Sequence, residues 1–301
     1  MQRYLEASDS KRASVFEKGY ASGGRVTREG IRIHAREDFA GMHKAGRVAA
    51  QILDDIEEHI FPGQRTGEID RLITAMVEAH GATSATIGYR GYQHASCISV
   101  NHVVCHGIPG SPIPPSKHEK RGRGNDALID GDILNIDVTV IVDGWFGDTS
   151  RMYVAGTPKP FAARLIQVTH DALMKGIEAV KPDNTFGDIG HAIQSYVEAQ
   201  RMSVVRDFCG HGLGRVFHAP PNVLHYGRPG REAMLEEGMF FTIEPMVNLG
   251  RHETKVLADD WTAITRDRAL SAQFEHSVGV TADGVDIFTP SPAGRFFPAL
   301  G

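Results

Sequence analysis

Four carboxylates and two imidazoles stand where the surrounding sequence is apolar or Gly-rich. Asp137 and Asp148 interrupt "GDILNIDVTVIVDGWFGDTSRM", His211 and His218 lie in "FCGHGLGRVFHAPP", Glu244 ends an apolar run just before Pro245, and Glu275 sits in "SAQFEHSVGVT". An unpaired charge within an apolar strand costs several kcal/mol, so these carboxylates need either protons or a cation. Asp137, Asp148, Glu244 and Glu275 together carry a charge that two divalent ions balance, and His211 adds a neutral nitrogen ligand. Oxygen-rich ligation with one nitrogen suits Mn²⁺, Fe²⁺ or Co²⁺ better than a structural zinc, which prefers Cys and His. Two such ions about 3.5 to 4 Å apart share a water, lower its pKa and aim it at a carbonyl. The chemistry of such a centre is hydrolysis.

The elements that must position these groups are legible in part. Val, Ile and Thr dominate residues 133–142, and Asp143-Gly144 is the dipeptide of a two-residue hairpin turn whose central residues both take positive φ. That turn pairs Val142 with Trp145 and sets Asp148 opposite Thr139, on the face Thr139 shares with Asp137. The two carboxylates become diagonal neighbours, about 7 to 8 Å apart at the backbone. Upstream, "AREDFAGMHKAGRVAAQILDDIEEHI" has helical apolar spacing, and a second helical pattern runs from Gly67 to His80. "PGQRTGEIDRLITAMVEA" returns as "PDNTFGDIGHAIQSYVEA" at an offset of 120 (182 − 62), matching Pro62/Pro182, Gly67/Gly187, Ile73/Ile193 and Glu78/Glu198. The pattern predicts an internal duplication, with halves over about 38–155 and 158–285 in one domain spanning 35–301, preceded by a polar, Gly-rich arm over 1–34. A site between such halves draws ligands from both.

Composition bounds the setting. The chain has 301 residues, 41% hydrophobic and 23% charged, enough for one sizeable core or two fused halves. No run reaches the length of a membrane span and the N-terminus lacks a signal-peptide core, so a cytoplasmic protein is expected. Cys97, Cys105 and Cys209 are odd in number without CxxC spacing, which predicts reduced thiols. A formal net charge of −5 supplies no global drive toward DNA or anionic lipid. Locally, "SKHEKRGRG" sets Lys117, Lys120, Arg121 and Arg123 against Glu119, which predicts a solvated basic loop able to touch ribosomal RNA.

The strings "CISVNHVVCHGIP", "DILNIDVTVIVDGWFGDTS", "GHGLGRVFHAPPNV", "FTIEPM" and "QFEHSVGVT" resemble the type I methionine aminopeptidases, from about residue 35 to residue 285. The resemblance implies the pita-bread α+β fold, two pseudo-symmetric halves around a dinuclear metal site, and removal of N-terminal methionine from nascent polypeptides whose second residue is small. It implies that Asp148 and Glu275 bridge two divalent ions of the Co, Mn or Fe class, that Asp137 completes one site, and that His211 and Glu244 complete the other. Glu244 would also move protons, His106 would meet substrate near the scissile bond, and His218 would hydrogen-bond the peptide carbonyl. Tyr89, Tyr92, Cys97, Phe217 and Trp261 would line a thioether pocket, which suits aromatic walls. A monomer is expected, in transient contact with the ribosome.

The chain departs from the compact bacterial pattern between Gly107 and Asp132, where it carries a longer segment. Only 26 positions (244 − 218) separate His218 from Glu244, which leaves no room for a large type II insertion. Two rivals are another pita-bread exopeptidase, of the prolidase or aminopeptidase P kind, and a binding protein that kept the fold without catalysis. The former carry a further N-terminal domain; the latter lose ligands that are all present here.

Overall fold

The computed structural model describes residues 24–117, 119, 122–295 and 297. The first part of the chain forms helices α1 (Asp38–Asp55) and α2 (Thr66–Ala79), then strands β1 (Thr83–Ser84), β2 (Ser96–Val100), β3 (Val103–Cys105), β4 (Asp132–Val142) and β5 (Trp145–Ala155). The second begins with α3 (Pro160–Glu178) and α4 (Phe186–Ala199), followed by β6 (Ser203–Val204), β7 (Gly210–Gly212), β8 (Ala219–Val223), β9 (Phe240–Ile243) and β10 (Met246–Asn248). It ends with β11 (Thr254–Val256), β12 (Ala263–Thr265), β13 (Ser271–Gln273), β14 (His276–Val280) and β15 (Val285–Ile287). α2 and α4 each have 14 residues and start 120 apart (186 − 66).

Each helix pair covers a sheet with its apolar face. Met42, Ile52, Ile69 and Ile73 pack with Ile136 and Val138 in one core; Leu165, Ile166, Ile189 and Ile193 pack with Phe241 and Val278 in the other. α1 comes down on β5 through small residues: a Cβ at Gly147 would lie 2.3 Å from the Ala45 carbonyl carbon. α4 starts with a capping box in which Thr185 and Asp188 satisfy each other's backbone N–H groups. Its counterpart α2 is capped from a distance, the Gly67 N–H donating to the Asp126 carboxylate at 3.0 Å.

β4 and β5 pair along their whole length, Asp132↔Ala155 to Val142↔Trp145, in the register that the Asp-Gly turn predicts, with Asp143 at φ 51 and Gly144 at φ 79. In the other half the sheet order is β15-β14-β9-β7-β8. The two sheets meet at a bridge between Ser150 and Glu275, where the Glu275 N–H donates to Ser150 O at 3.1 Å. Thr149 Oγ1 donates to Glu275 O at 2.7 Å, and Ser277 Oγ to Asp148 O at 2.6 Å. This seam fixes one ligand strand against the other.

Two expectations shift. Residues 24–34, expected in the arm, are docked: Val26 bridges Arg32, Ile31 is 2% exposed, and His34 stacks on Phe240 at 4.1 Å. Two apolar side chains, Ile31 and Ile33, inside a polar stretch are enough to dock it on the second core; residues 1–23 of that arm lie outside the described residues. The basic loop is also less basic than its composition. Arg123, whose side chain is 7% exposed, turns inward to ion-pair with Asp132 and Glu119, because Asp132 is buried there and needs a cation. Lys117 is exposed, while Lys120 and Arg121 lie outside the described residues.

Candidate metal centre

The hairpin supplies two of the acids. Asp137 faces Ser150 across the ladder and Asp148 faces Thr139, so the carboxylates are diagonal neighbours as the turn predicts, and Thr139 Oγ1 donates to Asp148 Oδ1 at 2.7 Å. Ser150 in turn pairs with Glu275, which brings the third acid alongside. β7 contributes His211, whose Nδ1–H donates to Gly212 O at 3.1 Å and whose Nε2 therefore faces Asp148 Oδ2 at 3.5 Å and Glu244 Oε1 at 3.8 Å. Glu244 follows β9, where Pro245 holds the backbone extended and removes the next N–H. Ligand atoms of Asp148, His211 and Glu275 lie within 4.8 Å of one another.

Electrostatics make this cluster costly as it stands. Burial, then the neighbouring Asp148 and Glu244 charges, pushes Asp137 and Glu275 well above the ordinary carboxylate range. Burial likewise raises Glu244 to about 7, with Asp148 adding to the shift and His211 opposing it. Burial disfavours charge on His211 too, yet Asp148 and Glu244 hold its pKa above the usual value. Asp137 Oδ1 is buried with no hydrogen-bond partner among the described residues. A carboxylate lone pair left over in such a place, among acids that resist ionising together, fits a site built for divalent cations.

The other candidate residues surround the cluster. The His218 ring lies 4.2 Å from that of His211 and 4.1 Å from Phe217, and Tyr89 packs on both His218 and Phe217. Across from them Tyr92 meets Trp261 at 4.9 Å, and His106 stands edge-on to Trp261 at 6.1 Å. Burial lowers the His106 pKa to about 4, and that of His218 falls well below its usual value, first by burial and then by the nearby His211. Cys97 is buried opposite Asp137 in the β2–β4 ladder, its thiol pushed up by burial and by that carboxylate. Cys97 thus stands beside Asp137, Tyr89, Phe217 and His218 gather beside His211, and Tyr92, His106 and Trp261 form a group of their own.

Sequence reasoning missed the groups that orient the acids. Thr242 Oγ1 donates to Glu244 Oε1 at 2.8 Å, Gln273 Nε2 approaches Glu244 Oε2 at 3.3 Å, and the Glu244 N–H donates to His225 Nε2 at 3.0 Å. Thr139 alone carried a signal, since the turn puts it opposite Asp148.

Comparison with known proteins identifies the family. A model of metallopeptidase family M24 matches residues 40–282. The methionine aminopeptidase of Rickettsia prowazekii is 51% identical over 269 residues, covering 89% of this chain and 98% of that protein. Methionine aminopeptidase A of Synechocystis is 49% identical, with 86% and 97% covered. The crystal structure of the Rickettsia enzyme superposes with a TM-score of 0.80 over 86% of this chain and 99% of its own. The prolidase of Pyrococcus furiosus, at 20% identity and a TM-score of 0.66, shares the pita-bread fold, but only 65% of its chain is covered. The mixed helices and sheets, the gathered acids and the near-complete overlap place this chain in metallopeptidase family M24, among the methionine aminopeptidases.

Proposed function

We propose that this enzyme removes the N-terminal methionine from nascent polypeptides whose second residue is small, using two divalent ions of the Mn, Fe or Co class. The observation that carries the reading is the set Asp137, Asp148, His211, Glu244 and Glu275, with the raised pKa values of Asp137, Glu244 and Glu275 and the Asp137 oxygen without a partner among the described residues. Asp148 and Glu275, at the seam of the two sheets, would hold the ions together with Asp137, His211 and Glu244. Bound there, the ions supply Lewis-acid polarisation of water and of the scissile carbonyl.

The chain's own residues do the rest. Tyr89, Tyr92, Cys97, Phe217 and Trp261 hold the thioether, so binding energy from the side chain positions the peptide. Glu244, oriented by Thr242 and Gln273 and raised to about 7 by burial, takes a proton from water and returns it to the leaving amine. His218 donates to the carbonyl oxygen as negative charge develops on it, and His106 contacts the substrate beside the scissile bond. The reading extends to a cytoplasmic monomer that acts on chains leaving the ribosome. Among the described residues no helix is long and apolar enough to cross a membrane.

The test is a Mn²⁺ titration of chelator-stripped protein with Met-Ala and Met-Leu tripeptides. Metal-dependent cleavage of the first and sparing of the second is expected; equal turnover of both would remove the small-residue rule, and no turnover of either would remove the activity.

A further inference from the structure

We propose that Tyr89 is a positioning residue that sets the tautomer of His218, so that Nε2 carries the proton. The inference rests on the reading of His218 as the donor to the carbonyl oxygen. The Tyr89 hydroxyl lies 3.0 Å from His218 Nδ1, with the two rings 5.3 Å apart and inclined by 24°. Nε2, on the other side of the ring, makes no hydrogen bond to any described residue.

A neutral imidazole has one N–H, and which nitrogen holds it follows from the partner of the other. Two arrangements are open at the Tyr89 contact. The phenol is the better acid and the bare imidazole nitrogen the better base, so O–H donating to Nδ1 is favoured over the reverse. Burial raises the Tyr89 pKa, which keeps the hydroxyl proton in place. The proton of His218 then belongs to Nε2. In the opposite tautomer Nε2 would turn a lone pair toward a developing negative oxygen, which repels where donation stabilises.

The phenol is held for this task. Tyr89 sits on a tight turn with Gly88 at φ 83, Arg90 at φ 46 and Gly91 at φ 87, left-handed conformations that the two glycines adopt without steric cost. The Tyr89 N–H donates to Thr86 O at 2.9 Å, and Gly88 N–H to Tyr92 O at 2.6 Å. Thr86 Oγ1 donates to His94 O at 2.7 Å, and His94 Nδ1 contacts Asp70 Oδ2 on α2 at 3.0 Å. The loop is therefore anchored to a helix of the first half, while His218 belongs to the second. Phe217, 5.0 Å from Tyr89 and 4.1 Å from His218, packs against both rings.

Tyr89→Phe keeps the ring and removes only the hydroxyl. In protein loaded with diamagnetic Zn²⁺, long-range ¹⁵N–¹H correlation of the imidazoles reads the tautomer of His218, with its signals assigned from the His218→Gln variant. Wild type is expected to show a protonated Nε2 and a bare Nδ1, and Tyr89→Phe a mixture of the two tautomers. With Mn²⁺ and a Met-Ala tripeptide the variant should lose about tenfold in kcat, less than the ~10²-fold cost of losing a whole oxyanion donor, with KM within about twofold. A protonated Nδ1 in wild type, an unchanged tautomer in the variant, or a loss confined to KM would overturn the proposal, the last leaving Tyr89 as a pocket wall only. Absence of Met-Ala turnover in wild type would instead strike the proposed activity, while the ¹⁵N spectrum still decides the tautomer.

Discussion

At Asp148 three relations converge on one carboxylate: it accepts from Thr139, faces the His211 nitrogen, and offers a ligand atom within 4.8 Å of those of His211 and Glu275. Asp148→Asn keeps the shape and removes the charge, so it should abolish tight binding of a divalent ion and all turnover; calorimetric titration with Mn²⁺ checks the first and peptide cleavage the second. His218 stands apart from that outcome. His218→Ala should bind Mn²⁺ as wild type does while kcat falls about 10²- to 10³-fold, because the role proposed for it is donation to the oxyanion. Equal loss of metal by both variants would mean that the roles have been assigned wrongly.

At the scale of elements, the segment between β3 and β4 is a brace as well as a loop. Asp126 caps α2 through the Gly67 N–H and accepts from Arg65 Nε at 2.7 Å. Arg123 joins Glu119 to Asp132, whose carboxylate also accepts from Asn101 Nδ2 at 2.8 Å and from the Ile129 N–H at 2.9 Å. Breaking a buried pair from one side leaves an uncompensated charge at a cost of about 3 to 5 kcal/mol. Two remaining donors reduce that cost here, and Arg123→Ala should lower stability by about 2 to 3 kcal/mol in urea unfolding. The other basic residues of the run carry a separate prediction. Reversing Lys117, Lys120 and Arg121 to Glu should leave tripeptide turnover unchanged and weaken ribosome co-sedimentation at low salt, with the difference closing as salt rises. Co-sedimentation equal to wild type at every salt concentration would make these lysines and arginine a solvated surface.

The whole molecule carries the electrostatic cost of its centre into its stability. In metal-free protein Asp137, Glu275 and Glu244 have folded pKa values raised above their ordinary ones, Glu244 to about 7 from 4.5, and His211 is raised as well. A raised folded pKa means that the folded chain holds protons the unfolded chain has released. The associated stability is present below the ordinary carboxylate pKa and is lost as pH rises through the folded values, which for Glu244 is a window from 4.5 to about 7. Divalent ions replace those protons. The difference in Tm between Mn²⁺-loaded and chelator-treated protein should therefore widen between about pH 5.5 and about pH 8.5, and histidines buried neutral elsewhere cancel in that difference. A gap that narrows over this range would contradict the account.

What the sequence determined by itself was whatever depends on neighbours along the chain. Period-two alternation and Asp143-Gly144 were enough for the hairpin register, and through it for the pairing of Asp137 with Asp148. The repeat at offset 120 announced the two helix pairs, and apolar surroundings made the carboxylates conspicuous. Tertiary structure decided what depends on contacts between distant segments. The Ser150–Glu275 bridge that aligns the two sheets, the Thr242, Gln273 and His225 bonds that aim Glu244, the inward turn of Arg123 and the Tyr89–His218 contact all lie in that class. Threonine, glutamine, arginine and tyrosine are common on surfaces and leave no periodic trace, so their roles appear only when packing removes water and forces each polar group to find a partner.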